Sequence, residues 1–145
     1  PIAGILLIVG AGGGFKQTLV DSGIADIIAA WIEQAAVPAL LAGWLVAVAV
    51  RLATGSATVA TITAAGIMKP LAADMPPTGV ALLVLAIGAG SVFLSHVNDA
   101  GFWLVKEYFG MSVGQTFKTW SLMETILSVT AMIVIALVAL PLGVL

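Results

Sequence analysis

The sequence has no cysteine and a single histidine, His96. It can hold no disulfide framework, no thiolate metal site and no histidine metal cluster. Charge is equally scarce. Asp, Glu, Lys and Arg make up 8% of the 145 residues, against about 25% in an ordinary soluble domain. Five basic side chains and a net charge of -2 leave no electrostatic footprint for nucleic acid. No glycine run completes a nucleotide-binding motif: Phe15 stands where a third fingerprint glycine would fall, and no Gly-Lys-Ser/Thr follows.

What is present is hydrophobicity. Apolar residues make up 61% of the chain, which excludes intrinsic disorder. Mean hydropathy is +1.21. The composition predicts an all-α, polytopic transmembrane helical bundle. The chain opens at Pro1 inside an apolar run with no charged segment before it. It reads as the C-terminal transmembrane region, 1–145, of a longer protein, and not as a signal peptide.

The first run ends in Gly10, Gly12, Gly13 and Gly14, where small residues allow close helix packing. A polar interruption follows over 15–23, and Asp21 or Ser22 is placed to cap the next helix. Lys16 and Asp21 are not at the spacing of a helical ion pair and read as a cap or a loose local pairing more than as a site. Ile24, Ile27, Ile28, Trp31 and Ile32 then form a helical stripe.

Two apolar arms follow, one from Pro38 to Val50 and one from Ala57 to Met68, with Arg51 to Ser56 between them. Each arm makes roughly 20 Å of helix, short of a hydrocarbon core of about 30 Å. The pair therefore reads as a re-entrant hairpin over about 38–70, its tip at Thr54-Gly55-Ser56. Lys69 to Thr78 reads as a loop. A second apolar run from Gly79 breaks at Ser95 to Gly101, predicting a discontinuous helix over about 79–109. Gly110 to Gln115 is expected to be a loop, and the last span covers about 116–142. Paired discontinuous helices point to a transporter substrate site.

At these residues the chain resembles the C-terminal third of the gluconate permeases. The stretches that carry the resemblance are GAGGGFKQTLVDSGI (10–24), RLATGSATVATITAAGI (51–67) and GAGSVFLSHVNDAGFWLVKEYFGMSVGQTFKTWSLMET (88–125). The resemblance implies a proton-coupled sugar-acid symporter of the ion transporter superfamily, multi-pass in the bacterial inner membrane. It implies one of two inverted repeats, with the first repeat outside this chain. Gluconate is the implied substrate; idonate, D-serine and related hydroxy acids stay open. No cofactor is expected. Sodium stays open as the coupling ion, as does a homo-oligomer. Besides the sugar acid, the expected partners are the lipid bilayer and the missing repeat.

The candidate substrate residues are Thr54, Gly55, Ser56, Thr58, Ser95, Asn98 and Asp99. A gluconate site needs hydroxyls, amides and a locally positive field, which half-helix N-termini supply without a cation. Thr54, Thr58 and Thr61 would share one face of a helix, although such hydroxyls often bond back to their own helix. Asp99 and His96 are candidates for the coupled proton. The plainer alternatives are a helix cap for Asp99 or Asn98 and a carbonyl contact for His96. Arg51 is expected to snorkel to an interface more than to meet a carboxylate. Lys118, Trp120 and Glu124 are expected to form an interface belt. Two other classes have weaker support. An intramembrane enzyme would need Ser95 with His96, or paired aspartates. A structural subunit would have no use for two polar breaks.

Overall fold

A computed structural model describes Thr18, residues 21–23, Ile27, Ala30 and residues 37–144. Among the described residues every element is helical and no strand is present. The glycine run at 10–14, Lys16 and Trp31 lie outside the described residues; of the isoleucine stripe, only Ile27 is described, in helical conformation. Asp21 is helical, and the carbonyl of Gly23 accepts from Ile27 to start the next turn.

Helix α1 spans Ala39–Thr54, behind Pro38. It therefore runs past Val50 and holds Arg51 in its last turn. Gly55 ends it in a left-handed conformation, φ +68°, with its N–H on the Arg51 carbonyl at 2.9 Å. Glycine alone adopts this conformation at no steric cost. Ser56 caps α2, Ala57–Ile67, by accepting from the Val59 N–H at 3.3 Å. The break between the two helices thus falls at Gly55-Ser56. It also corrects one expectation: Thr54 belongs to α1, while Thr58 and Thr61 belong to α2, so the three do not share one helix face.

The segment expected to be a loop after α2 contains a short helix, α3, Lys69–Ala73, with Pro70 in its first turn, where proline is tolerated. Helix α4 is Pro77–Ser91. An irregular stretch over 92–99 separates it from α5, Ala100–Tyr108. Helix α6, Val113–Leu142, starts earlier than expected because Ser112 and Gln115 form a reciprocal capping box. A π-turn over Phe117–Ser121 interrupts it.

Helices α1, α4 and α6 make the core, with Leu40, Ala47, Leu83, Ala86, Met132 and Ile135 buried among them. Small residues bring backbones together. A Cβ on Gly90 would stand 2.4 Å from the Trp44 carbonyl oxygen. Trp44 also donates to Ser128 at 3.1 Å, pinning α1 to α6. Among the described residues α6 is the one helix long and apolar enough to cross a membrane, with mean hydropathy 2.5 over its best window. Its outer face stays uncovered, with Ile133, Val134 and Leu137 each more than half exposed. The helix carries apolar residues around its whole circumference, as a lipid-facing span does.

Candidate functional site

The two helix breaks meet. The left-handed turn at Gly55 lies directly on the Asn98 backbone, and the Asn98 amide donates to the Leu52 carbonyl at 2.8 Å. That carbonyl is one of the last four of α1, which have no partner inside the helix. Asn98 so ties the end of α1 to the α4–α5 break.

Arg51 supplies a second tie. It is only 4% exposed, so the expectation that it snorkels is corrected. The last turn of α1 turns its side chain inward, where the negative end of the helix dipole favours a cation. Its Nη1 donates to the Gly55 carbonyl at 2.7 Å. Its Nη2 donates to Asp99 Oδ2 and lies 3.6 Å from Glu124 Oε2. Among the described residues its Nε has no acceptor.

Asp99 is fully engaged. Oδ1 caps α5 by accepting from the Gly101 N–H at 2.8 Å. Oδ2 receives both Arg51 and the Ser95 hydroxyl. Ser95 is buried and in turn accepts from Trp120 Nε1 at 3.0 Å, while its carbonyl accepts from the Ser121 hydroxyl. The π-turn therefore docks on the break through two adjacent residues, Trp120 and Ser121. The expected belt splits. Lys118 is exposed, whereas Trp120 and Glu124 turn inward.

These groups wall a cavity of about 590 Å³. Arg51, Thr54, Gly55 and Ser56 line it together with Asn98, Asp99 and Glu124. The N-terminus of α2 opens on it through Ala57 and Thr58, and the N-terminus of α5 through Ala100 and Gly101. Thr58 is exposed on its wall and forms no side-chain hydrogen bond among the described residues. Thr54 and Thr61 instead bond back to Val50 and Ala57 of their own helices. Of the predicted site residues, Ser95 stands behind the wall, holding Asp99. His96 is not on it; its Nδ1 lies 3.0 Å from the Leu94 carbonyl. Ser95 and His96 make no nucleophile–base pair, because Ser95 donates to Asp99.

Residues 1–141 match the GntP family permeases. The chain belongs to that family. It is similar to the gluconate permease of Pseudomonas aeruginosa, with 59% identity over 97% of this chain and 31% of the relative. It is 53% identical to a high-affinity gluconate transporter of Escherichia coli, over 91% of this chain and 30% of the relative. The Gnt-II system L-idonate transporter of the same organism is 48% identical, over 91% and 30%. This GntP-family chain thus spans about 30% of the length of the curated relatives it matches. No solved structure matches it. The family is one of membrane permeases and not of enzymes.

Arg51, Trp120 and Glu124 turn inward, where the sequence reading put them at an interface. A signal is available. Arg51 is the one charge between Pro38 and Met68, and Glu124 the one between Thr119 and Leu145. Lone opposite charges in apolar segments at membrane depth find each other.

Proposed function

We propose that this cavity forms part of the substrate site of a secondary transporter that imports gluconate, or a related sugar acid, with a proton across the bacterial inner membrane. The observation that carries the reading is the convergence of two helix N-termini and a buried arginine on one cavity. Helix N-termini present N–H groups to an anion. Thr58 and Asn98 on the cavity wall offer a hydroxyl and an amide to a polyol. The volume is in the range of ordinary small-molecule sites. The names of the relatives agree with this substrate class.

In this reading α1 and α2 are the arms of a re-entrant hairpin. At 16 and 11 residues they reach roughly 24 and 16 Å, short of the hydrocarbon thickness of about 30 Å. Helices α4 and α5 are the halves of a discontinuous span. Thr54, Gly55, Ser56, Thr58, Asn98 and Asp99 border the substrate, with Ser95 fixing Asp99. The rest of the permease supplies the facing half. The unused N–H groups and the non-helical backbone at the breaks are tolerated because they line a cavity.

The test is uptake of labelled gluconate by the intact permease in cells lacking their own permeases. Uptake should collapse with a protonophore, persist without sodium, and be blocked by idonate more than by D-serine. An inserted protein with no gluconate uptake would overturn the substrate. Sodium-dependent, protonophore-insensitive uptake would overturn the coupling ion.

A further inference from the structure

We infer that Glu124 is the residue that carries the coupled proton, an inference that rests on the transport reading above. Three charged side chains line the cavity: Arg51, Asp99 and Glu124. The two carboxylates stand in unlike surroundings. Both oxygens of Asp99 receive hydrogen bonds, from Gly101, Ser95 and Arg51. A proton placed on Asp99 would displace a donor, uncap α5 and loosen the Arg51 pair. Among the described residues Glu124 Oε2 has no hydrogen-bond donor. At 3.6 Å from Arg51 Nη2 it feels the charge but lies beyond hydrogen-bond reach. A proton there displaces no hydrogen-bond donor and uncaps no helix; it weakens only the longer ion pair to Arg51. Among the described residues the ionisable groups facing Glu124 are Arg51 from α1 and Asp99 from the α4–α5 break. Helix α4, which also packs on α6, carries no ionisable side chain.

Charge balance then links the proton to the anion. With both carboxylates ionised, Arg51 is outnumbered and the cavity is net negative. An entering sugar-acid carboxylate is repelled across a short distance in a poorly screened site. When Glu124 takes a proton from water on the entry side, the Arg51–Asp99 pair is balanced and the anion enters a neutral cavity. Release of the anion on the other side restores the path for Glu124 to return its proton to water there. One proton and one monovalent anion cross together, with no net charge moved.

The experiment compares Glu124→Gln and Glu124→Asp with wild type in the intact, purified and reconstituted permease. It reads three quantities: accumulation driven by a proton gradient, gluconate counterflow from pH 5.5 to 8, and proton uptake on gluconate binding. Wild type should accumulate gluconate, lose counterflow as pH rises, and take up about one proton per gluconate bound. Glu124→Gln, fixed in the neutral form, should keep counterflow at a level independent of pH, lose accumulation and take up no proton. Glu124→Asp, one methylene shorter, should accumulate gluconate with a displaced pH midpoint.

A Glu124→Gln protein that accumulates gluconate like wild type, or still takes up a proton on binding it, overturns the assignment. If that variant does not insert, Glu124→Asp decides, and an unchanged pH midpoint overturns the assignment. A wild-type protein that takes up neither gluconate nor a proton overturns the transport reading, and the assignment falls with it.

Discussion

Gly55 lies so close to Asn98 that a Cβ added to it would sit 2.2 Å from the Asn98 carbonyl oxygen. The contact is between backbones, so no side-chain rotation relieves it. Gly55 is also left-handed, so its substitution meets two penalties at once.

Gly55→Ala is expected to cost more than about 1 kcal/mol from the positive φ alone, with the clash in addition. It should lower the unfolding temperature of the purified permease and abolish gluconate uptake. Gly88→Ala is the control. Nothing lies within 4 Å of its added Cβ, and α4 is helical there. Wild-type stability and uptake in Gly55→Ala would show that the two breaks are not in register.

Arg51→Ala leaves the largely buried Asp99 without its cationic partner. Removing one partner of a buried pair costs about 3–5 kcal/mol. Poor insertion or rapid loss of the protein in membranes is the expected result. Arg51→Lys keeps the charge but loses the planar fork that reaches Gly55 and Asp99 together. It should insert, with a raised KM for gluconate in uptake assays. Asp99→Asn should insert and lose uptake, because Arg51 is then left with no ionised hydrogen-bond partner. Wild-type uptake by Asp99→Asn would remove Asp99 from the site.

Ser128→Ala tests the scaffold apart from the cavity. It deletes the acceptor of Trp44 Nε1 between α1 and α6. Such interhelical bonds contribute about 0.6 kcal/mol and seldom as much as 2. A small drop in unfolding temperature with unchanged KM is expected. A changed KM would mean that the α1–α6 contact governs the cavity.

The residues themselves explain how much of the fold and the site is legible in the sequence. The break at Gly55-Ser56 is readable because the flanking arms are too short to span and the interruption combines a glycine with a capping serine. Asp99 is readable as a cap, being an acid just ahead of a helical run. The inward turn of Arg51 is not. Helices α1 and α4 are apolar nearly all round, so periodicity marks no buried face. Glu124 is hidden by the π-turn over Phe117–Ser121, which adds a residue to one turn and shifts the angular register of the residues beyond it. The capping box at Ser112 and Gln115 is plainly spelled in the sequence, and it sets the start of α6.

The Gly55–Asn98 contact also bears on how such a machine moves. Arg51, Asn98 and Gly55 join the end of α1, the start of α2 and the α4–α5 break at three points. In the proposed transport cycle, these three ties are expected to make the two breaks travel as a single block. Access to either side of the membrane then changes at the seam between that block and whatever faces it, not within the block itself.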